Sequence, residues 1–221
     1  MRFLILGCGS FAGQILYENF LKKGYQVYGI NRSKPKNSSY WEWMGEEIKT
    51  LNWQEINLNS NPLECANAIK KIAPTHIIDL MGQGMVAQSW NDPLLWYETN
   101  LSKKSLILET IRNLDTLEKY VRASTPEVFG SNDNLIDEKQ NFNPSSPYAV
   151  SHSAIDLHIR ILGKEYDFPY LIGRFANFYG EGQQLYRVIP RAILSCINKK
   201  KFIIDGKGSS SRRFIYSSDI V

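Results

Sequence analysis

The sequence predicts an α/β fold built on a doubly wound parallel sheet, and three observations lead to this class. Residues 2–6 form a short, continuous apolar run, which is typical of a strand buried on both faces. A glycine-containing turn and a helical pattern follow this run directly. Further along the chain, apolar runs of strand length alternate with helical patterns, as expected of parallel strands joined by crossover helices.

The turn after the first strand has the composition of a dinucleotide-binding loop. Glycine lets the backbone turn tightly and approach a pyrophosphate, whose charge would lie at the N-terminus of the following helix. The spacing is G-x-G-x-x-x-G, with Ala12 at the usual place of a third glycine, so a plain tight turn is the alternative. The residues expected to contact the cofactor here are Gly7, Gly9, Ser10, Phe11 and Gly13.

The end of the second strand, at Ile30, is where a residue that selects the cofactor is expected. A carboxylate that would bind the ribose of NAD is missing at Asn31. Arg32, with Lys34 or Lys36, could instead bind the 2′-phosphate of NADP. The sequence therefore favours NADP and leaves NAD open, and an exposed basic turn is the alternative role of these residues.

Two more strands extend the predicted cofactor site. A weak strand ends near Leu58, where Asn57 would lie beside the adenine. A helix from Pro62 to Ile72 connects it to a buried strand at residues 75–80. The loop that follows is rich in small residues, so a ligand can come close to its backbone. Its expected cofactor contacts are Leu80, Gly82 and Gln83, and Gln83 is also expected to contact the substrate.

A long helix is predicted after this loop. Asp92 and Pro93 have the residue types of a helix cap and a first helical position, and the pattern continues to about Asn113. Asn100 interrupts its apolar surroundings. This side chain either forms a buried hydrogen bond to the backbone or has a role in the site.

The region from Tyr120 to Tyr148 carries the groups most suited to chemistry. An apolar strand leads into Thr125 and Glu127, and a polar loop then leads into the helix that contains Tyr148. A hydroxyl, a carboxylate and a phenol thus come from a strand end and a helix start. Such a trio can move protons and a hydride on a sugar alcohol.

The helix that contains Tyr148 should begin at Pro147, with Ser145 or Ser146 as its cap, and run to about Tyr166. His152 lies one turn after Tyr148 and could favour the phenolate, but as a cation only below its own pKa, near 6.5 when unperturbed. The residues spaced to face the core are Tyr148, His152, Ile155, Ile159, Leu162 and Tyr166.

The last part of the chain contains a strand at residues 169–174 and two strand-like runs within residues 201–221. Arg212 and Arg213 stand beside the second run. They could bind an anionic ligand through two parallel hydrogen bonds, or they could be solvated arginines at a strand.

Composition narrows the function classes further. The 221 residues are 43% hydrophobic and carry a net charge of only +4, so we expect a globular protein without a nucleic-acid partner. No apolar run approaches the roughly 20 residues of a membrane span, and we expect a cytoplasmic protein with no membrane partner. The spacing of Cys8, Cys65 and Cys196 suggests neither a disulfide framework nor a metal site.

Taken in order, these motifs resemble those of the extended short-chain dehydrogenases/reductases of the NAD-dependent epimerase/dehydratase family, which modify nucleotide sugars. The nucleotide-sugar 4,6-dehydratases are the most similar branch, because they also carry a glutamate at the place of Glu127. The motifs that carry the resemblance are the N-terminal glycine loop, "LMGQ" at 80–83, "ETN" at 98–100, "STPEVFG" at 124–130, "SSPYAVSH" at 145–152, "RFANFYGEG" at 174–182 and "RRFIYSSD" at 212–219.

The resemblance implies an organisation and a partner. Residues 1–175 would form a Rossmann dinucleotide-binding domain, and residues 176–221 would begin a nucleotide-sugar-binding domain whose remainder is expected to be absent after Val221. The cofactor would be NADP or NAD, and the substrate a nucleoside-diphosphate sugar held in part by Asn177 and Arg212. A homodimer is expected, since enzymes of this group commonly pair through two helices of each subunit.

The resemblance also implies a role for each catalytic group. Tyr148 would take the proton of the sugar 4-hydroxyl while the C4 hydride leaves, with Thr125 hydrogen-bonded to the same oxygen. Glu127 would remove the proton at C5 in a 4,6-dehydratase. An epimerase with the same transient oxidation at C4 remains open, and we expect an enzyme.

Two departures from the family pattern define the alternative hypothesis. His152 stands where the family has a lysine, and Pro126 stands where thymidine-sugar dehydratases have an aspartate. The alternative is a catalytically impaired homologue that binds the dinucleotide or nucleotide sugar as a sensor or partner subunit. A lysine restored at position 152 would be expected to raise the activity of an otherwise intact site.

Overall fold

A computed structural model of the protein describes residues 1–33, 52–131, 136–175, 177–204, 208 and 211–221. Lys34 and Lys36 of the predicted NADP site lie outside these residues. The strands are β1 (Arg2–Leu6), β2 (Gln26–Asn31), β3 (Asn52–Glu55), β4 (His76–Asp79), β5 (Lys119–Ser124), β6 (Tyr170–Arg174), β7 (Asn177–Tyr179) and β8 (Phe214–Tyr216). The α-helices are α1 (Phe11–Lys22), α2 (Pro62–Ile72), α3 (Val86–Ser89), α4 (Pro93–Tyr97), α5 (Lys104–Arg112), α6 (Pro147–Tyr166), α7 (Val188–Ile197) and α8 (Ser217–Ile220).

Six parallel strands form the main sheet in the order β3-β2-β1-β4-β5-β6, so the predicted doubly wound fold is confirmed. Successive residues of each strand enter different cores. Leu4 and Leu6 of β1 pack in the core that contains residues of α2, α5 and α6. Phe3 and Ile5 pack against α1. The two layers of helices leave the carboxyl ends of the strands as the edge where a ligand can bind.

The helix predicted from Pro93 to about Asn113 is interrupted. Asp92 caps it as predicted, with its side chain accepting from the N–H of Leu95 at 3.3 Å. A π-helix at Glu98–Lys103 then separates α4 from α5, so the prediction of one regular α-helix is wrong in its interior. Such a segment adds a residue to the turn and is common at functional sites. It contains Asn100 and leads directly into Lys104, and both side chains are fully buried.

The prediction for α6 is confirmed in its bounds and mostly in its buried face. Ser146 is the cap, with its hydroxyl accepting from the N–H of Ala149 at 3.2 Å. The predicted stripe is buried or partly buried as far as Leu162. Tyr166 is 58% exposed, so its assignment to the core is wrong. The last turn of α6 lies at the surface, where the guanidinium of Arg112 packs 4.3 Å from the ring centre of Tyr166.

Two other strand predictions differ from the structure. β3 ends at Glu55 rather than near Leu58, because Ile56 and Leu58 turn into the core. Residues 201–204 do not form a strand, and the Ile203 side chain is 70% exposed. The second predicted run is confirmed as β8, which pairs in parallel with β7. No helix in the described ranges combines the length and apolar character required to cross a bilayer.

Candidate active site at the carboxyl ends of the strands

The glycine turn lies where the order of the strands reverses, because β1 has β2 on one side and β4 on the other. Gly7 has a φ of +80°, and its N–H donates to the carbonyl of Ile30 at 2.8 Å. A Cβ at this position would lie 3.0 Å from the backbone of Leu80. Only glycine fits both the φ angle and the narrow space at this position. The glycine therefore allows the turn to pass close to the backbone of the neighbouring strand.

The start of α1 has the features of an anion site. Ser10 is its cap, and the Ser10 hydroxyl accepts from the N–H of Gly13 at 3.1 Å. The Gln14 side chain donates to the carbonyl of Gly9 at 3.2 Å and holds the turn against the helix. The first N–H groups of a helix have no partners inside it and add to the positive end of its dipole. This end of α1 can therefore accept a pyrophosphate.

Asn31 is part of the same turn. Its Oδ1 accepts from the N–H of Gly9 at 3.3 Å, and its Nδ2 donates to the carbonyl of Ser33 at 3.0 Å. A Cβ on Gly9 would lie 2.5 Å from Nδ2 of Asn31. The neutral amide thus fixes the end of β2 to the glycine turn, and the exposed Arg32 side chain follows it.

The loop after β4 is held by Asn100. Its Oδ1 accepts from the N–H of Gln83 at 2.7 Å, and its Nδ2 donates to the Gln83 carbonyl at 3.0 Å. The same Nδ2 donates to the hydroxyl of Ser151, also at 3.0 Å, and that hydroxyl donates to the carbonyl of Tyr148 at 2.7 Å. Of the two interpretations of Asn100, the backbone hydrogen bond is therefore observed, and it connects this loop to the start of α6.

Thr125, Glu127 and Tyr148 meet at the ends of β5 and α6, as the sequence predicted. Thr125 caps a 3-10 helix at Pro126–Phe129, and its hydroxyl accepts from the N–H of Glu127 at 3.3 Å. The Thr125 side chain also lies close enough to the phenol of Tyr148 to favour the phenolate. The backbone N–H of Tyr148 donates to the buried hydroxyl of Ser89 at 3.1 Å, which fixes the first turn of α6. Sequence reasoning did not find Ser89.

The surroundings keep Tyr148 neutral when no ligand is bound. Burial raises the pKa of Tyr148 above 10, and the charge of Glu127 raises it further. The Thr125 side chain and the charges of Arg122 and Arg187 act in the opposite direction, because they favour the phenolate. Nearby cations therefore stabilise the phenolate of Tyr148, and the charge of Arg122 has a larger effect than that of Arg187.

Glu127 lies at the mouth of the site. Its side chain is exposed, yet the surrounding chain still desolvates the carboxylate enough to raise its pKa, while the charge of Arg212 acts to lower that pKa. Arg212 is thus within electrostatic reach of Glu127. Asn177 lies at the start of β7, opposite Phe214 of β8.

His152 is neutral in this environment. Its ring centre lies 4.5 Å from that of Tyr148, and its Nδ1 lies 3.3 Å from a guanidinium nitrogen of Arg122. Burial lowers the pKa of His152 well below 6.5, and the charges of Arg122 and Lys104 lower it further. The suggestion that His152 serves part of the time as the cation beside Tyr148 is therefore wrong for the folded protein near neutral pH.

With this geometry established, known proteins place the chain in a family. Residues 3–221 match the model of the NAD dependent epimerase/dehydratase family. The chain belongs to this family. The predicted membership is confirmed, and it extends from β1 to the last residue of the sequence.

Among relatives of the chain, the dTDP-D-glucose 4,6-dehydratase of Dictyostelium discoideum is 30% identical over all of this chain and 54% of its own length. The human dTDP-D-glucose 4,6-dehydratase is 36% identical over 48% of this chain and 30% of its own length. The chain thus spans about half the length of the first of these relatives and aligns with less of the second.

Solved structures agree with the fold. The UDP-glucuronic acid 4-epimerase of Bacillus cereus superposes with a TM-score of 0.86 at 22% identity and covers all of this chain and 70% of its own. The dTDP-glucose 4,6-dehydratase DesIV of Streptomyces venezuelae gives a TM-score of 0.85 at 21% identity, with 69% of its chain covered. Both were crystallised with NAD.

A buried charged cluster lies beneath the candidate site, and sequence reasoning did not find it. Lys104 donates to both carboxylate oxygens of Asp79, at 2.6 and 2.7 Å, and to the carbonyl of Met81. Tyr120 donates to the same carboxylate, and a guanidinium nitrogen of Arg122 lies 3.8 Å from it. The detectable signal was a charged residue inside each of two apolar strands, "HIID" and "YVRAS".

We expect the free energy of unfolding to fall as the pH drops below about 6.5, with His152 as one cause. The unfolded chain binds a proton at the ordinary pKa of about 6.5, whereas the folded protein resists protonation of His152 to a lower pH. The unfolded state therefore binds more protons in this window, so stability is lost as the pH falls, by up to about 1.4 kcal/mol per pH unit. Urea unfolding at a series of pH values measures the decline.

The His152→Gln variant should show a shallower decline than the natural protein. His158→Gln is the matched control, since His158 lies on the same helix and is partly exposed. Equal slopes for His152→Gln and the natural protein would contradict a buried neutral imidazole.

Proposed function

We propose that this protein binds a nicotinamide dinucleotide and transiently oxidises C4 of a nucleoside-diphosphate sugar, as a 4,6-dehydratase or a 4-epimerase. The observation that carries the proposal is the meeting of Thr125, Glu127 and Tyr148 beside a loop that is fixed to α6. Membership of the family and the named activities of the relatives support it.

The glycine turn fits a dinucleotide, because a Cβ at Gly7 or Gly9 would collide with the neighbouring chain. The bound cofactor would supply the hydride chemistry. The pyrophosphate would be held by Gly7, Gly9, Ser10, Phe11 and Gly13, the adenine side by Asn57 and the backbone of Leu58, and the nicotinamide side by Leu80, Gly82, Gln83, Tyr148 and His152.

We further propose NADP as the preferred form of the cofactor. Asn31 supplies no carboxylate for a ribose hydroxyl, and the exposed guanidinium of Arg32 follows it. An arginine–phosphate contact is a charge-assisted hydrogen bond, which contributes about 1.5–3 kcal/mol. Titration of the protein with NADPH and NADH gives the ratio of the two dissociation constants. Equal values would contradict the preference for NADP, and tighter binding of NADH would assign NAD.

The roles of the catalytic side chains follow from their positions. Tyr148 accepts the proton of the sugar 4-hydroxyl, and Thr125, whose side chain lies beside the phenol, orients the same oxygen. A ketone at C4 acidifies the proton at C5, which the carboxylate of Glu127 can then remove. This carboxylate favours the dehydratase over the epimerase. Asn177 and Arg212 would hold the diphosphate of the substrate.

Turnover of a panel of nucleoside-diphosphate sugars tests the proposal. A 4-keto product that absorbs in alkali supports the dehydratase, and a mixture of C4 epimers supports the epimerase. If the protein binds the dinucleotide but converts none of the sugars, both enzymatic assignments are wrong.

One observation favours a second candidate, an impaired homologue that acts as a sensor or partner subunit. The family lysine is replaced by a buried histidine that is neutral near pH 7. Such a protein would bind both the dinucleotide and a nucleotide sugar, measurable by calorimetry, without any exchange of hydride between them.

The proposal also covers the location, the oligomeric state and the domain organisation of the protein. We expect a cytoplasmic homodimer, with residues 1–175 binding the dinucleotide and residues 176–221 contributing to the nucleotide-sugar site. Apolar side chains exposed on α4, α5 and α6, which would form the paired surface, support the dimer: Leu94 at 62%, Leu106 at 36%, Val150 at 40%, Leu157 at 47% and Ile161 at 57%. Light scattering that detects only a monomer would exclude it.

A further inference from the structure

Arg122 is a guanidinium buried beneath the candidate active site. The residue is 1% exposed, and its charge lies between two buried carboxylates, 3.8 Å from Asp79 and 3.5 Å from Asp156. Its remaining terminal nitrogen lies 3.3 Å from Nδ1 of His152. The side chain is therefore held from behind by two anions and reaches the imidazole with an N–H group.

The chemistry of the two groups fixes the protonation of the imidazole. A guanidinium has five donors and no acceptor, so it can only donate in this contact. Nδ1 of His152 must then carry a lone pair, and the proton of the neutral ring must be on Nε2. Among the described residues, Arg122 is the one group that hydrogen-bonds the His152 ring. No other described contact therefore favours the opposite tautomer.

We propose that Arg122 is a positioning residue that holds His152 as its Nε2–H tautomer and provides, through the imidazole, the permanent positive charge that the site of Tyr148 requires. His152 supplies the hydrogen-bond donor and Arg122 supplies the charge, so two residues together replace one lysine. The inference rests on the proposed function, because it assigns the charge to the same reaction.

The charges around the imidazole agree with this division of roles. Arg122 and Lys104 both act on His152, and both disfavour a positive charge on the ring. Arg122 also acts on Tyr148, one ring away, where its charge favours the phenolate. The titratable and charged groups facing this region are Lys104 after the π-helix, Asp79 on β4, Arg122 on β5, Glu127 after β5, Arg187 before α7, and Tyr148 and Asp156 on α6.

The structure changes what a lysine at position 152 should do. In the sequence alone, a restored lysine was expected to raise activity. With Arg122 already 3.3 Å from the side chain at this position, a lysine would place a second buried cation against the first. We now expect His152→Lys to lower both stability and turnover while Arg122 is present.

Nitrogen-15 NMR of the protein labelled at histidine tests the inference without any assay of activity. His76, His152 and His158 are distinguished by the loss of one signal in each His→Gln variant. We expect His152 to show a protonated Nε2 and an unprotonated Nδ1 at pH 7.5. A proton on Nδ1 of His152, or a ring that carries both protons at this pH, would overturn the proposal whether or not an Arg122 variant folds.

The Arg122→Gln variant separates the hydrogen bond from the charge. An amide can still donate to Nδ1, so we expect the Nε2–H tautomer to persist while the pKa of His152 rises by about one unit, as loss of a close cation predicts. Arg174→Gln is the matched control, because Arg174 pairs with Asp156 at 3.0 Å and has no contact with the imidazole. A rise of the same size in Arg174→Gln, or no rise in Arg122→Gln, would show that Arg122 has only a structural role.

A double-variant cycle then connects the charge to turnover. We expect His152→Lys combined with Arg122→Gln to be more active than His152→Lys alone, since the pair then carries one cation again. If neither the natural protein nor any variant converts a nucleotide sugar, but NMR shows the expected tautomer, the proposed function is wrong and the assignment of the tautomer remains supported. If turnover is found and the two substitutions act independently, the proposed function stands and the charge role of Arg122 fails.

Discussion

Replacement of Tyr148 by phenylalanine is expected to lower turnover of the nucleotide sugar by about 10²–10⁴-fold, the usual contribution of a positioned acid–base group. The phenol is the group that would accept the 4-hydroxyl proton, and the nearby Thr125 side chain favours its phenolate. The ring itself should keep its place, because the helix start is fixed through the backbone N–H of Tyr148 and the hydroxyl of Ser89. Dinucleotide affinity should therefore change little.

Single-turnover kinetics and dinucleotide titration on the same sample separate these two effects. Tyr166→Phe is the matched control, since it removes a phenol from the exposed end of the same helix. If Tyr148→Phe retains most of the activity, the phenol is not the proton acceptor. If instead the dinucleotide no longer binds, the main effect of Tyr148 is on the site's structure.

Replacement of Lys104 by methionine is expected to lower the free energy of unfolding by about 3–5 kcal/mol at neutral pH, the range seen when one partner of a buried ion pair is removed. Burial lowers the pKa of Lys104 to about 8, against the attraction of Asp79. Burial alone would raise the pKa of Asp79, but Lys104, Arg122 and Tyr120 together hold it below its usual value. Without Lys104 the carboxylate loses its strongest partner in a site closed to water.

Urea unfolding at pH 7 measures this loss, with Lys103→Met as the matched control. Lys103 is the preceding residue and is partly exposed, so its replacement should change stability by less than about 0.5 kcal/mol. Lys104 also donates to the Met81 carbonyl at the start of the loop that faces the cofactor, and weaker dinucleotide binding is expected as well. Equal stabilities of the two variants would show that the buried pair contributes little.

The parts of the fold that the sequence predicted well are those with local signals. Ser146 and Pro147 mark the start of α6, and Pro62 marks the start of α2, because caps and prolines act within one turn of their own position. The glycine turn was predicted for the same reason, since the φ of Gly7 and its close neighbours demand that residue type. Each of these features is decided by a few adjacent residues.

The features that the sequence did not reveal are decided by packing between distant segments. Asn100 in the π-helix has its buried partner at Gln83, and Lys104, which follows the π-helix, has its partner at Asp79; both partners are far away in the chain. In the sequence, the charged pairs beneath the site appeared only as single charged residues in apolar strands, Asp79 in β4 and Arg122 in β5. The periodicity of a strand does not predict which charged residues will form an ion pair. Tyr166 fits the spacing of the buried stripe, but nothing in the spacing tells that the last turn of α6 lies at the surface.

A crystal structure of the protein with NADP⁺ and a nucleoside diphosphate tests the central claim most directly. We predict the pyrophosphate of the cofactor on the first N–H groups of α1, and the nicotinamide between the loop at Gly82 and the ring of Tyr148. The phenolic oxygen should lie near the nicotinamide, with room for a sugar hydroxyl within about 3 Å of it. A dinucleotide bound elsewhere, or a Tyr148 phenol that faces away from the nicotinamide, would contradict the account.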